Sequence, residues 1–388
     1  MSKILLAMLT LAFIACGPEN PTDSDWGELP VNPGETTEEP SPENPSPEEP
    51  KPEEPTPDEP KPDTPTPEEP KPEPDPEPEP EPKPEEPALI MIEPTTQIAP
   101  ANSDFSKLQY YPGMQIDVND STFKKRLEEV AAAGFKYVEL KIKYAYGLHN
   151  RTDEQANATF ASMQQQLADK GITVWSIHLP YEDKNWTSIS AAENIRTQSV
   201  EYILRTLRLC AANFKDCKNY VLHASKSVSP SKTAISQAHK SLMEMDEVAK
   251  QLGVRFCVEN LVGSFCYTID DVLAVIEPFD NVYATFDIGH ANCKAYDVVK
   301  FLESLGTKLG TVHMQDTIYG SGNDDHQLVG DGNIATKNRP WGEVYKTLLE
   351  KNRYRGVFMF EPKDNQAAAE VMRRYYDVVL ESYNNLNK

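Results

Sequence analysis

Eight short runs rich in Val, Ile, Phe and Tyr recur between residues 113 and 361, at 113–118, 137–142, 173–178, 220–223, 255–259, 283–287, 310–313 and 357–361. Each is bounded by Gly, Asn, Asp or Lys and is too short for a helix, so each reads as a β-strand. Longer stretches with apolar residues three or four apart lie between them. The first carries Leu127, Val130 and Ala131 on one stripe and stops at Gly134, a residue that ends helices readily. Further helices are predicted at about 154–169, 191–212, 233–252, 268–276, 298–305, 341–350 and 366–383. Strand–helix alternation repeated eight times predicts an α/β fold, a single (β/α)8 TIM barrel with a closed parallel sheet. An open doubly wound sheet usually has fewer repeats and gathers its ligand near one switch point. Neither a Gly-x-Gly-x-x-Gly turn nor a Walker-type phosphate loop is present, which removes the usual nucleotide sites.

The residues before this pattern do not fit it. Lys3 precedes the apolar run 4–14, which Ala15-Cys16 closes, the layout of a secretory signal. The ending Phe13-Ile14-Ala15-Cys16 resembles a bacterial lipobox, with Phe13 where Leu is usual. That resemblance makes Cys16 the expected lipidation site and new N-terminus. The apolar run is too short to cross a bilayer as one helix. Residues 17–88 hold 25 of the 33 prolines, 24 acidic residues and 4 lysines. Proline removes backbone donors and the glutamates repel one another, so this segment buries no core. As an extended, solvated stalk it would reach on the order of 200 Å. The expected division is a lipoprotein signal at 1–16, a disordered Pro/Glu-rich linker at 17–97 and the barrel at 98–388. Such a protein sits at the cell envelope, lipid-anchored to membrane on the periplasmic side or the cell surface of a bacterium.

The stalk also accounts for most of the formal net charge of −23. Residues 89–388 carry 37 acidic and 33 basic residues, close to balance and without a basic run, so nucleic acid is not an expected partner. Besides Cys16 there are cysteines at 210, 217, 257, 266 and 293, none in a Cys-x-x-Cys pair, which disfavours a zinc ribbon. Exported proteins can form disulfides, and an odd count leaves a thiol free. Cys257 stands two residues before Glu259 on one strand face, the place of a buried filler.

The chemistry gathers at the strand ends. His178, His223, Glu259, Asp287, His290, His313 and Glu361 each fall at the downstream end of a strand, and Asp324 and His326 lie in the loop after the seventh. In a parallel barrel those ends converge on one mouth where catalytic groups collect. Singly, each has an ordinary explanation as a hydrogen-bonded structural group. Together they would bury several uncompensated carboxylates at high cost, and a divalent cation removes that cost. Glu139, Lys141 and Lys143 share one face of the second strand, but alternation leaves open whether that face is interior. His149 and His239 lie off the pattern and are given no role.

Seven segments carry a resemblance: Ser-Ile-His178-Leu-Pro-Tyr181, Val-Leu-His223, Val-Glu259-Asn260, Phe-Asp287-Ile-Gly-His290, Val-His313-Met-Gln-Asp316, Asp324-Asp-His326 with Gly330-Asp-Gly332-Asn-Ile334, and Phe-Glu361-Pro-Lys363. In this order and spacing the chain resembles the xylose-isomerase-like barrels of sugar isomerases and epimerases, a superfamily that also holds apurinic endonucleases. The resemblance implies Glu259, Asp287, His313 and Glu361 as ligands of one divalent metal. Mn²⁺ is typical there, and Co²⁺ or Zn²⁺ suits the same mixed donors. It further implies Glu259 and Glu361 as an acid–base pair on opposite faces of a sugar, and His290 as a substrate contact. His178, Tyr181 and Lys363 are further candidates for substrate binding, and Trp175, Trp186 and Trp341 for stacking on a sugar ring. The epimerases place an arginine shortly after the seventh-strand histidine, whereas Asp316, Thr317 and Tyr319 follow His313 here. His178, His223, His290, Asp324 and His326, with Tyr181, instead resemble the site of the three-zinc endonucleases, a second metal set with more than one ion. The first strand, 113–118, lacks the His-Val-Ser-Ala-type segment of those enzymes. The expected activity is a metal-dependent sugar isomerase or epimerase that abstracts a proton next to the carbonyl of a keto-sugar. The alternatives are a metal-dependent keto-glycoside lyase, a zinc phosphoesterase and a sugar-binding lipoprotein without catalysis.

Overall fold

The computed structural model describes residues 89–143, 148–181, 188–225, 229–263 and 265–386. Cys16, the signal, the stalk to Ala88 and Trp186 lie outside the described residues. Two short strands come first, β1 (Ile90–Ile92) and β2 (Leu108–Tyr110), paired in parallel. The barrel follows as β3 (Pro112–Asp117), β4 (Tyr137–Lys141), β5 (Thr173–His178), β6 (Asn219–Leu222), β7 (Arg255–Glu259), β8 (Val282–Asp287), β9 (Leu309–Met314) and β10 (Phe358–Phe360). All eight are parallel and close in sequence order, with β10 between β9 and β3. The outer ring comprises α1 (Phe123–Ala132), α2 (Asp153–Asp169), α3 (Glu193–Asn213), α4 (Lys232–Leu252), α5 (Ile269–Ile276), α6 (Ile288–Cys293), α7 (Val298–Leu305), α8 (Trp341–Glu350), α9 (Ala368–Arg374) and α10 (Glu381–Leu386). The alternation read from sequence is thus a closed barrel. The span 366–383, read as one helix, divides into α9, a π-helical stretch Tyr375–Leu380 and the start of α10.

Period-two alternation divides each strand between two cores. Val138, Leu140, Ile177, Tyr220, Leu222, Phe256, Val258, Phe286 and Val312 are wholly buried members of the large apolar cluster. Burial of each such side chain contributes about 1.5–3 kcal/mol. The intervening residues line the barrel interior. Two irregularities adjust this phase: Trp175 is an extra residue in β5 against β4, and Gly310 an extra residue in β9 against β8. A Cβ on Gly310 would sit 2.6 Å from Cys257 Sγ and 2.8 Å from Tyr283 Cβ. The interior is filled to the point where only glycine fits there.

The upstream end of the interior is sealed. Trp175, Val357 and Met359 meet across the barrel with Tyr137 against them. Arg255 donates from Nε to Asn219 Oδ1 at 2.7 Å, from Nη2 to Gly310 O at 3.1 Å and from Nη1 to Thr96 O at 3.2 Å. The segment holding Thr96 runs under this end, where Thr95 and Ala99 donate their backbone N–H to Arg355 O and Arg353 O. Residues 89–97, assigned from sequence to the linker, therefore carry β1 and pack on the barrel, and the folded unit includes them. Ile92 is buried there. Proline-free apolar residues at 89–92 were the signal for this boundary.

Candidate metal centre at the barrel mouth

The strand ends bring Glu259, Asp287, His313 and Glu361 together. One ligand atom from each lies within 4.8 Å of every other, and all four residues are buried. His313 Nδ1 stands 3.2 Å from Glu259 Oε1, 3.0 Å from Glu361 Oε2 and 3.9 Å from Asp287 Oδ2. Asp287 has two duties. Its Oδ1 accepts the His290 N–H at 2.7 Å and so caps α6, while Oδ2 accepts from Gln315 Nε2 at 2.8 Å. Asn260 braces the same strand end: its Oδ1 accepts the Asp287 N–H, and its Nδ2 donates to Asp287 O.

A second group shares Glu259. His178 Nε2 and His223 Nε2 approach Glu259 Oε2 at 3.1 and 2.9 Å. The Tyr181 ring lies over His223, centroids 4.2 Å apart, and 4.9 Å from His178. On the other side, Asp324 Oδ2 joins His290 Nε2 at 3.1 Å and His326 Nε2 at 3.2 Å. The loop that delivers Asp324 and His326 is folded around Asp316, whose carboxylate accepts the N–H groups of Thr317, Gly330 and Ile334. A Cβ at Gly332 would fall 2.2 Å from Asp316 Oδ1, which explains why a glycine stands there. Sequence reading brought all nine candidates to one mouth, and the structure gathers them there.

β4 adds what alternation left open. Lys141 is buried inside the mouth, its Nζ 2.9 Å from Glu361 Oε1 and 5.3 Å from the centre of the Tyr181 ring. Glu139 is also interior, against His313 Nε2 at 3.1 Å. Lys143 pairs with Asp117. Gln315 was missed altogether, although it stands two residues after His313 and so on the same face. Lys363 lies beyond the end of β10 with its side chain exposed, and the structure does not bring it into the cluster. Trp341 is buried in the outer core and Trp175 in the sealed end, so both are packing residues. His239 Nε2 donates to Ala274 O at 2.8 Å between α4 and α5. All five barrel cysteines are buried thiols.

The electrostatics are those of anions forced together. Burial pushes Asp287 up to about 6, and Glu361, Glu259 and Asp324 add to the rise against the pull of His290. Burial also disfavours ionised Glu259, but His313 and His223 hold it well below the usual carboxylate range. Glu361 is held well below as well, where Lys141 and His313 outweigh burial. His313 itself is raised well above the ordinary imidazole value, since Glu139, Glu259 and Glu361 overcome its burial. Glu361 Oε2 is buried with His313 Nδ1 3.0 Å away, outside hydrogen-bond alignment. Three carboxylates and one imidazole whose donor atoms converge within 4.8 Å of one another fit a divalent ion of the Mn²⁺, Co²⁺ or Zn²⁺ type.

The family profile for xylose isomerase-like TIM barrels matches residues 127–378. An uncharacterized protein of Methanocaldococcus jannaschii is 28% identical over 229 residues, 56% of this chain and 74% of that protein. An inosose dehydratase of Clostridium perfringens is 20% identical over 267 residues, 64% of this chain and 85% of that protein. A D-tagatose 3-epimerase-like protein superposes with a TM-score of 0.57 at 22% identity, covering 71% of this chain and 99% of that one. An L-ribulose 3-epimerase gives 0.57 at 18%, with 71% and 96% covered. The 3-keto-D-glucoside 4-epimerase of E. coli gives 0.54 at 16%, with 71% and 100% covered. Two of these neighbours are named as epimerases and one as epimerase-like, and at such identities the likeness is one of fold. The profile match runs from within α1 through α9 and takes in seven of the eight barrel strands, β4 to β10, and the chain belongs to the xylose isomerase-like TIM-barrel family.

Proposed function

We propose that this chain is a divalent-metal-dependent sugar isomerase or epimerase that moves a proton at the carbon next to the carbonyl of a keto-sugar. The observation that carries the reading is the buried cluster of Glu259, Asp287, His313 and Glu361. These four would hold the ion, which when bound supplies Lewis acidity at a carbonyl and its neighbouring hydroxyl. The chain supplies the proton carriers. Glu361, kept ionised by Lys141 and His313, accepts a proton from one face of the sugar. Glu259, kept ionised by His313 and His223, serves the other face. His178, His223 and Tyr181 stand beside Glu259 to meet sugar hydroxyls, and Lys141 holds the Glu361 carboxylate in place. The substrate is a small-molecule sugar, in keeping with the epimerases among the structural neighbours.

The sequence relative described as an inosose dehydratase keeps elimination open, since a lyase starts from the same proton abstraction. A second reading has its own observation. His178, His223 and Glu259 form a further metal-capable group, and Asp324 joins His290 and His326. That set suits a phosphoesterase with more than one ion. Incubating the full chain with Mn²⁺ and a panel of keto-sugars in D₂O decides. Deuterium washed into product supports isomerisation or epimerisation, and loss of water identifies a lyase. Phosphoester cleavage without exchange on any sugar overturns the proposal.

We further propose export and lipidation at Cys16, which resembles a lipobox cysteine. The wild type should partition with membranes into detergent, and Cys16→Ser should release it or leave its signal uncleaved. Wild-type protein free in the cytoplasm contradicts the anchor.

A further inference from the structure

Glu139 has no part in the cluster of four, yet it is a fully buried carboxylate inside the barrel. The inward residues two positions before the cluster groups are otherwise uncharged: Cys257 before Glu259, Thr285 before Asp287, Thr311 before His313 and Met359 before Glu361. A packed interior at this depth has no need of a charge, and an apolar side chain there would avoid the desolvation that a carboxylate suffers. Three donors compensate it. Gln115 Nε2 donates to Oε1 at 2.7 Å, Ser176 Oγ donates to Oε2 at 2.6 Å, and His313 Nε2 lies 3.1 Å from Oε2. The first two come from β3 and β5, on either side of β4. The third reaches across the barrel from β9.

The third contact has a chemical consequence. Ionised Glu139 can only accept, so the hydrogen of a neutral His313 ring must sit on Nε2. The lone pair is then on Nδ1, the nitrogen that faces Glu259 Oε1 and Glu361 Oε2. Facing those oxygens, Nδ1 carries either a second ring proton or a metal ion that displaces it. A carboxylate behind an imidazole also makes the opposite nitrogen a stronger donor and fixes the plane of the ring. We propose that Glu139 is a positioning residue that selects Nδ1 of His313 as the metal donor and sets the affinity of the mouth for a divalent ion. This rests on the metal reading of the cluster, and it assigns a role to a residue one layer beneath that cluster.

The test is metal binding rather than turnover. Full-length protein is stripped with chelator, and Mn²⁺ and Co²⁺ are titrated into it by calorimetry. The visible absorption of bound Co²⁺ reports its donor set, and the melting temperature of the stripped protein reports folding separately. Glu139→Gln should bind about 10- to 100-fold more weakly, with an altered Co²⁺ spectrum and a cooperative melt. Affinity within about twofold of the wild type and an unchanged spectrum would refute the role. If Glu139→Gln does not fold, Glu139→Asp decides, because its carboxylate is one methylene short of His313. An intermediate loss supports the role and none overturns it. A wild type that takes up no ion removes the metal reading and this role together. A wild type that binds, with both variants unaffected, removes this role alone.

Discussion

At the upstream end of the barrel Arg255 is a buried cation among neutral acceptors, whereas at the downstream end Glu259, Asp287 and Glu361 are buried anions crowded against one another. Arg255 has Asn219 Oδ1, Gly310 O and Thr96 O within hydrogen-bond distance and lies over the Tyr283 ring at 4.3 Å. Its charge is satisfied within the chain. The mouth is not satisfied in this way: burial and the neighbouring carboxylates push Asp287 up to about 6. Both ends desolvate charge, and the difference is where compensation comes from. A structural charge brings its own partners. A ligand-binding cluster leaves part of its compensation to the ligand, so strain of this kind marks function.

The sharpest way to break the comparison is at the two glutamates. Glu259→Gln and Glu361→Gln should each slow solvent-deuterium exchange into a keto-sugar about 10²- to 10⁴-fold. Loss of only a few-fold would return both to a structural role like that of Arg255. The next effect is on ion uptake with pH. His313, raised by its carboxylates, must give up a proton to bind at neutral pH, and below about 6 Asp287 must give up a second. Because ligands bind deprotonated, Mn²⁺ affinity should fall about tenfold per pH unit near neutrality and about a hundredfold per unit below pH 6. Calorimetry across pH 5 to about 8 reads both slopes, and a flat profile contradicts the cluster as the binding site.

Arg255→Met tests the other end. It strands buried acceptors, so it should destabilise by about 1–3 kcal/mol in denaturant titration while leaving Mn²⁺ affinity unchanged. Altered affinity would show that the ends are not independent. The smallest effect expected is for His326→Ala. With one ion it should reduce exchange less than about tenfold, because His326 meets Asp324 and the backbone oxygen of Glu361 rather than a side chain of the four-residue cluster. A loss equal to that of Glu361→Gln, in a protein holding several ions per chain, would favour the phosphoesterase reading.

The helix after β8 shows how a site can hide in plain sequence. Asp287-Ile-Gly-His290 was read only for its chemistry, although Asp is a favoured cap residue. The structure uses one Asp287 oxygen to start α6 and leaves the other for the cluster. Gln315 is within reach of the same alternation that finds His313, as Lys141 is found with Glu139 on one face of the second strand. Lys363 lies past the end of β10 at Phe360, exposed, with its backbone N–H donating to Gln366 Oε1.

By itself the sequence determined the eight strands, their parallel closure and the alignment of imidazoles and carboxylates at strand ends. Those follow from local periodicity, residue type and spacing, which are properties of neighbours along the chain. It also determined that Glu139, Lys141 and Lys143 share a face. Only the tertiary structure decided that this face is interior, that Glu139 meets His313 across the barrel and that Lys141 reaches Glu361. Alternation specifies parity but not which parity points inward. The extra residues Trp175 and Gly310 shift that parity against neighbouring strands. Contacts between strands as far apart in sequence as β4 and β9 exist only once the sheet has curved and closed, since no local pattern encodes a distance across a barrel.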